Sequence, residues 1–183
     1  MRRTVEEALA ELRSQIGRWA QEGPRPGVHF FVYPPEWEAL MLHRLPDFAR
    51  ECEKANCPIE LVNVGQSFLA EVEGTPGLAD LLAESDRLNP RQLMQDLNVL
   101  AQRAIRGALS TASDRHSIAR VIVNTGALGA FASYSAVANE AAADPTAVGL
   151  EIPCVVAFPG EDDEHGLSLL HLRRDANYRV PRI

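Results

Sequence analysis

Val28-His29-Phe30-Phe31-Val32-Tyr33-Pro34-Pro35 is the stretch on which the fold turns. Six residues, nearly all apolar, run without the alternation of a half-exposed strand, and two prolines then stop them. A short run of this kind suits a strand covered on both faces, the situation of a strand inside a parallel sheet. Pro34 and Pro35 lead into a helix beginning near Glu36, because proline fits the first helical turn, where its missing N–H is not needed. Trp37, Met41, Leu45, Phe48 and Cys52 supply the buried stripe of that helix, and Pro46 should kink or divide it.

Outward from this unit the pattern repeats. Upstream, Thr4 to Ala20 spaces Val5, Ala8, Leu9, Leu12, Ile16 and Trp19 as one face of an amphipathic helix, ended by Gly23-Pro24-Arg25-Pro26-Gly27. Downstream, Ile59 to Val64 reads as a second strand and Gln66 to Val72 as a short helix, followed by a break at Gly74-Thr75-Pro76-Gly77. Helical segments follow at Leu78 to Leu88 and from Arg91 to about Ala112, the latter started by Asn89-Pro90. Ala119 to Asn124 is a third strand, Thr125 to Gly129 a loop, Ala130 to Ala142 a helix of small residues and Ile152 to Phe158 a fourth strand. Strands alternating with helices predict an α/β fold: three layers, a mostly parallel sheet of about four or five strands, helices on both faces and right-handed crossovers. At 183 residues one domain spanning 1–183 is expected, with the amphipathic helix at about 4–20 and a return segment at about 166–183.

Composition narrows the function. A formal charge of -7 opposes the basic surface that a stand-alone nucleic-acid binder uses against phosphates. No apolar run approaches the ~20 residues of a bilayer span, and the charged start does not read as a secretory signal, so a cytoplasmic protein is expected. Cys52, Cys57 and Cys154 are read as reduced thiols, since their number is odd and their contexts are helical or strand-like. They lack the repeated close spacing of zinc modules, and neither metal nor cofactor is expected.

Familiar catalytic motifs are incomplete. Lys54 is the only lysine and follows no glycine-rich turn, which excludes a Walker A loop and disfavours Schiff-base chemistry. Gly126-Ala127-Leu128-Gly129 after a strand could approach an anion, but the third glycine of a dinucleotide fingerprint is missing, and a tight packing turn is the preferred reading. Gly65-Gln66-Ser67-Phe68-Leu69 has the outline of a nucleophile elbow with Leu69 in place of the second glycine, so Ser67 reads better as a helix N-cap. His29, His43, His116, His165 and His171 have no evident partners in sequence. Glu161-Asp162-Asp163-Glu164 is read as a solvated acidic turn, since a calcium loop's alternating ligands and pivotal glycine are absent. Arg173, Arg174, Arg179 and Arg182 make the tail locally basic, fit either to pair with that acidic stretch or to meet an acidic partner.

Phe30-Phe31-Val32-Tyr33-Pro34-Pro35 ahead of Glu36, Arg44-Leu45-Pro46-Asp47-Phe48, Phe158-Pro159-Gly160-Glu161, and Asn177-Tyr178 leading to the closing Ile183 occur in an order and spacing that resemble the BrxB family of bacterial BREX phage-exclusion systems. The chain departs from that pattern at Pro34, where the family has an aspartate, across Asp162 to Gly166, where it has a glycine-rich polar return, and at Ala176, where it has a tryptophan. The resemblance implies a small cytoplasmic component of an antiviral defence operon, without an established catalytic centre. Its partners would be a large ATPase, a DNA methyltransferase complex and an alkaline-phosphatase-like protein.

The leading expectation is therefore a non-enzymatic adaptor. Candidate contact residues are Leu9, Leu12, Ile16 and Trp19, whose stripe serves a partner or the chain's own core, together with Arg173, Arg174 and Arg179. The alternative is a nucleotide- or anion-binding protein, or an enzyme, using the carboxyl ends of the strands, with Asn124, Thr125, Gly126, Gly129, Ser67 and Glu161 as contributors. Direct nucleic-acid contact through the tail arginines is expected to be weak, and self-association is left open.

Overall fold

Ala119–Val123 (β3) is buried at every position, so both its edges need strands and both its faces need cover. The computed structural model describes residues 4–23, 26–77, 89–110, 116–129, 131–132, 150–163, 166–169, 173–175 and 183. Within them β3 pairs in parallel with Ile59–Asn63 (β2) on one side and Pro153–Asp163 (β4) on the other. Gly27–Tyr33 (β1) then pairs in parallel with β4, which gives the order β2-β3-β4-β1. The fold is the α/β arrangement expected, with helices on both faces of the sheet.

The residues of each strand divide between two cores. On one face Val5–Glu22 (α1) and Glu38–Lys54 (α2) set Leu9, Leu12, Ile16, Trp19, Met41, Leu45 and Phe48 against Phe31, Tyr33, Val121, Val155 and Ala157. On the other, Val64–Gly74 (α3) and Pro90–Ser110 (α4) set Val64, Ala101, Ala104, Ile105 and Ala108 against Val28, Phe30, Ile122, Val156 and Phe158. The connection from β1 to β2 traverses the whole sheet with α2 on the first face; the connection from β2 to β3 runs back with α3 and α4 on the second. Opposite directions on opposite faces are what a single crossover hand requires.

Local chemistry sets the helix ends. Thr4 and Glu7 form a reciprocal capping box at the start of α1. Asn56, at a left-handed φ of 58°, ends α2, with the Cys57 amide donating to the Cys52 carbonyl at 3.0 Å and the Asn56 amide to that of Glu53 at 3.0 Å. That pair is a Schellman closure with asparagine in glycine's usual place. Arg44 joins α2 to α1 through two contacts to Glu6, at 2.9 and 3.0 Å.

Three expectations need correction. Pro46 does not divide α2, which is one continuous helix with Pro46 inside it; the buried Leu45 and Phe48 on either side hold it to the sheet. Ser67 does not cap α3. Asn63 does, its Oδ1 accepting from the Gln66 amide at 3.1 Å, and the helix begins at Val64. The fourth strand does not end at Pro159-Gly160, nor are residues 161–163 a turn. Tyr33 pairs with Pro159 at the end of β1, and from Gly160 onward β4 pairs antiparallel with Gly166–Leu169 (β5). The strand thus exchanges one partner for another at the Pro-Gly step, where a missing N–H is tolerated. Arg173–Asp175 (β6) follows on β5, and the Ile183 amide donates to the Phe30 carbonyl at 2.9 Å, so the return segment brings its last residue back to β1. The helices expected over 78–88 and 130–142 lie outside the described residues.

Candidate functional site

The carboxyl ends of β1, β3 and β4 meet where successive connections leave toward opposite faces, the place where open α/β sheets bind ligands. Four groups from four elements occupy that corner. β1 contributes Tyr33 as its last residue; the proline turn that follows leads the chain into α2, so that Glu38, the first residue of the helix, comes back to the Tyr33 hydroxyl. Tyr33 Oη donates to Glu38 Oε2. The other oxygen, Oε1, is fully buried and makes no hydrogen bond. It faces Gly126, whose amide approaches without reaching hydrogen-bond geometry. Burial pushes the Glu38 carboxyl above the ordinary glutamate range, an effect only partly opposed by the Tyr33 hydroxyl and the Gly126 amide.

Gly126 owes its identity to this corner. A Cβ there would stand 3.3 Å from Glu38 Oε1 and 3.3 Å from Pro159 Cγ, so any larger residue would press on both. Thr125, fully buried, donates its hydroxyl to the Ala157 carbonyl at 2.5 Å and ties the 3-10 turn Thr125–Leu128 to β4. Asn124 enters that turn at a left-handed φ of 61°, which asparagine tolerates better than other non-glycine residues. Its amide donates to Asn63 Oδ1 at 3.0 Å, so the Asn63 oxygen serves both the α3 cap and the β3 turn. Gly65 lies so near that a Cβ would overlap the Asn124 amide.

The residues expected to form a ligand loop are therefore partly brought together. Asn124, Thr125 and Gly126 share the corner; Gly129 closes the turn, its amide donating to the Gly126 carbonyl at 3.2 Å. Ser67 lies in the first turns of α3 with its hydroxyl turned back on the Asn63 carbonyl at 3.3 Å. Glu161 sits farther along β4, opposite Ser168 of β5. Glu38, Tyr33 and Asn63 were not on that list. Asn63 carries a readable signal, an asparagine three residues ahead of a glutamine at a helix start; Glu38 carries none, since an acidic residue in a first helical turn is ordinary.

Leu9, Leu12, Ile16 and Trp19 are all buried against the sheet, which leaves none of them as a contact surface in this fold. Arg173 and Arg174 belong to β6, opposite Leu169 and Ser168; Arg179 and Arg182 lie outside the described residues. Cys52, Cys57 and Cys154 are buried free thiols, and burial pushes Cys52 and Cys154 up to about 12. A thiol so protonated is a poor nucleophile and a poor metal ligand. Among the described residues no three His, Cys, Asp or Glu side chains gather as a metal site, and no helix is long and apolar enough to cross a membrane. Comparison of the chain with protein-family models, with curated proteins and with solved structures finds no match.

Proposed function

We propose that the protein is a non-enzymatic adaptor of a bacterial BREX-type phage-exclusion system, cytoplasmic, binding a larger defence protein such as its ATPase or its alkaline-phosphatase-like component. The observation that carries this reading is the commitment of the reactive groups at the strand ends to the chain itself. The Ser67 hydroxyl bonds the Asn63 carbonyl, the Thr125 hydroxyl bonds the Ala157 carbonyl, and the Asn124 amide bonds Asn63. A site organised for turnover keeps its nucleophile within reach of a base and of substrate. Here Thr125 and Asn124 each hold one strand end to another, and Ser67 is turned back on the start of its own helix. The segments that resemble BrxB are also framework: Tyr33 registers with Pro159, Arg44 ties α2 to α1, and Leu45 and Phe48 are core.

Affinity capture of the tagged chain from its native host, followed by size exclusion, tests the proposal. Stoichiometric co-elution with an ATPase or a phosphatase-like defence protein is the expected result; a chain recovered alone would overturn it. One observation favours a second reading, ligand binding at the same corner: a buried carboxyl oxygen without a hydrogen bond at the switch point of the sheet. For an anion this reading is weakened, because the Glu38 carboxyl already faces the Gly126 turn. A thermal-shift screen with nucleotides and divalent metals decides it, since a ligand at 100 times its Kd stabilises a fold by about 2.7 kcal/mol.

A further inference from the structure

The corner between β1, α2, β3 and β4 holds one ionisable group that the adaptor reading does not use. Glu38 Oε1 is buried, makes no hydrogen bond and lies beside Gly126, while Oε2 meets Tyr33. A buried polar atom without a partner costs stability, and such atoms in folded proteins call for an explanation. The packing argues against an incoming ligand as that explanation: at Gly126 even a methyl group would be tight against both Oε1 and the Pro159 ring. It agrees instead with a change of protonation. As a neutral acid with its proton on Oε2, Glu38 can donate to Tyr33 Oη and leave an uncharged carbonyl oxygen against Gly126. As a carboxylate it brings a full charge into the same partly buried corner.

We propose that Glu38 is a pH-sensitive latch: neutral, it seats against Gly126 and ties the start of α2 to the ends of β1 and β3; ionised, it is driven toward water and loosens that corner. The groups facing it are Tyr33 from β1 and Gly126 from the β3 turn, and among the described residues no charged side chain offsets the carboxylate. The sign follows from linkage. A carboxyl raised in the folded state binds more protons there than when unfolded, so its contribution is full below the unfolded value of about 4.5 and is lost as pH rises through the folded one. The latch is therefore closed in acid and opens toward neutral pH. Tyr33, which it meets, registers with Pro159, the residue at which β4 changes partner from β1 to β5, so opening would be felt at the root of the β4–β5–β6 extension.

The test uses the full chain. Carbon-detected NMR of the Glu38 carboxyl should show titration above the ordinary glutamate range, and higher still in Tyr33→Phe, which removes the hydroxyl that favours the charged form. Urea unfolding of wild type and Glu38→Gln at several pH values should show the variant's relative advantage growing with pH, about tenfold in the folded-to-unfolded ratio for each pH unit by which the carboxyl is raised. Amide exchange at Gly126 and Ala127, compared with Glu38→Gln at the same pH, should lose protection in the wild type as pH rises. A Glu38 carboxyl that titrates normally, or a stability difference flat with pH, overturns the latch. Should Glu38→Gln fail to fold, the titrations of wild type and Tyr33→Phe decide alone.

Discussion

Replacing Arg120 by methionine should be the most damaging single change outside the apolar core. Arg120 is 3% exposed in the middle of the sheet. Its Nε and Nη2 both meet Glu60 Oε2 at 3.0 Å, on the neighbouring strand, and its Nη1 meets the carbonyls of Ala108 and Leu109 at 3.1 and 2.8 Å. One guanidinium thus joins β3 to β2 and caps the last turn of α4, where carbonyls lack intrahelical partners. Methionine fills similar volume, so the loss is electrostatic: Glu60 keeps its charge in a site only 24% exposed, and two helix-end carbonyls lose their donor. Breaking a buried pair from one side costs about 3–5 kcal/mol. The orphaned carbonyls are part of that figure rather than an addition to it, because Glu60 and α4 relax together. Against a total stability of about 5–15 kcal/mol this is a large fraction. With a urea slope of about 2 kcal/mol per M the midpoint should fall by about 2 M. Adding Glu60→Gln should return part of the loss by removing the stranded charge, and the double-mutant cycle should show coupling of at least about 1 kcal/mol. A loss under about 1 kcal/mol for Arg120→Met, or strict additivity in the cycle, would refute the role assigned to this side chain.

Gly65→Ala should cost about 1–3 kcal/mol through overlap with the Asn124 amide, and Asn124→Gly in the same chain should recover much of it, because glycine accepts the left-handed φ; urea midpoints check both. Thr125→Val, which keeps shape and removes the hydroxyl bonded to Ala157, should cost about 1–2 kcal/mol and raise amide exchange in the 125–128 turn. His29 packs on Trp19 with ring centroids 4.7 Å apart, and burial holds its imidazole below the usual range. The folded state then binds fewer protons than the unfolded one, so this stability is present above the unfolded value of about 6.5 and is lost as pH falls below it. His29→Phe should remove that part of the acid-side loss, seen by comparing unfolding at pH 7 and pH 5. Cys154, fully buried and held protonated, should react with iodoacetamide only on unfolding of the sheet, so rapid labelling under native conditions would contradict its placement.

The α/β architecture was legible because its signals are apolar runs. Val28 to Tyr33 reads as a strand covered on both faces and Ala119 to Asn124 as a further strand, and the structure packs residues of both into the two cores. The stripe in α1 was legible too, but its destination was not: periodicity says that Leu9, Leu12, Ile16 and Trp19 face something apolar, and only the packing says that this is the sheet. Pro159-Gly160 misled for a definite reason. Local turn propensity is real, yet a strand continues through it when backbone partners stand on either side of the step, Tyr33 before and Leu169 after. Such partners are 126 and nine residues away in sequence, beyond what local chemistry encodes.

The corner was half legible for the same reason. Asn124, Thr125 and Gly126 could be chosen because they follow a strand, where α/β sheets place their sites. Glu38 could not, because its environment comes from Tyr33 and Gly126 on two other segments. What those residues do together agrees with the tight-turn reading of the loop and not with its anion-binding alternative. A turn with an open glycine suggested room for an external anion; the structure sets the chain's own carboxyl against it. The glycine is needed for close packing, as the tight-turn reading held, and the ionisable group that the turn sets at the site is the chain's own Glu38. An adaptor with such a corner would hold its partner on a scaffold whose strand ends respond to pH, and the titration of one carboxyl distinguishes that molecule from a rigid one.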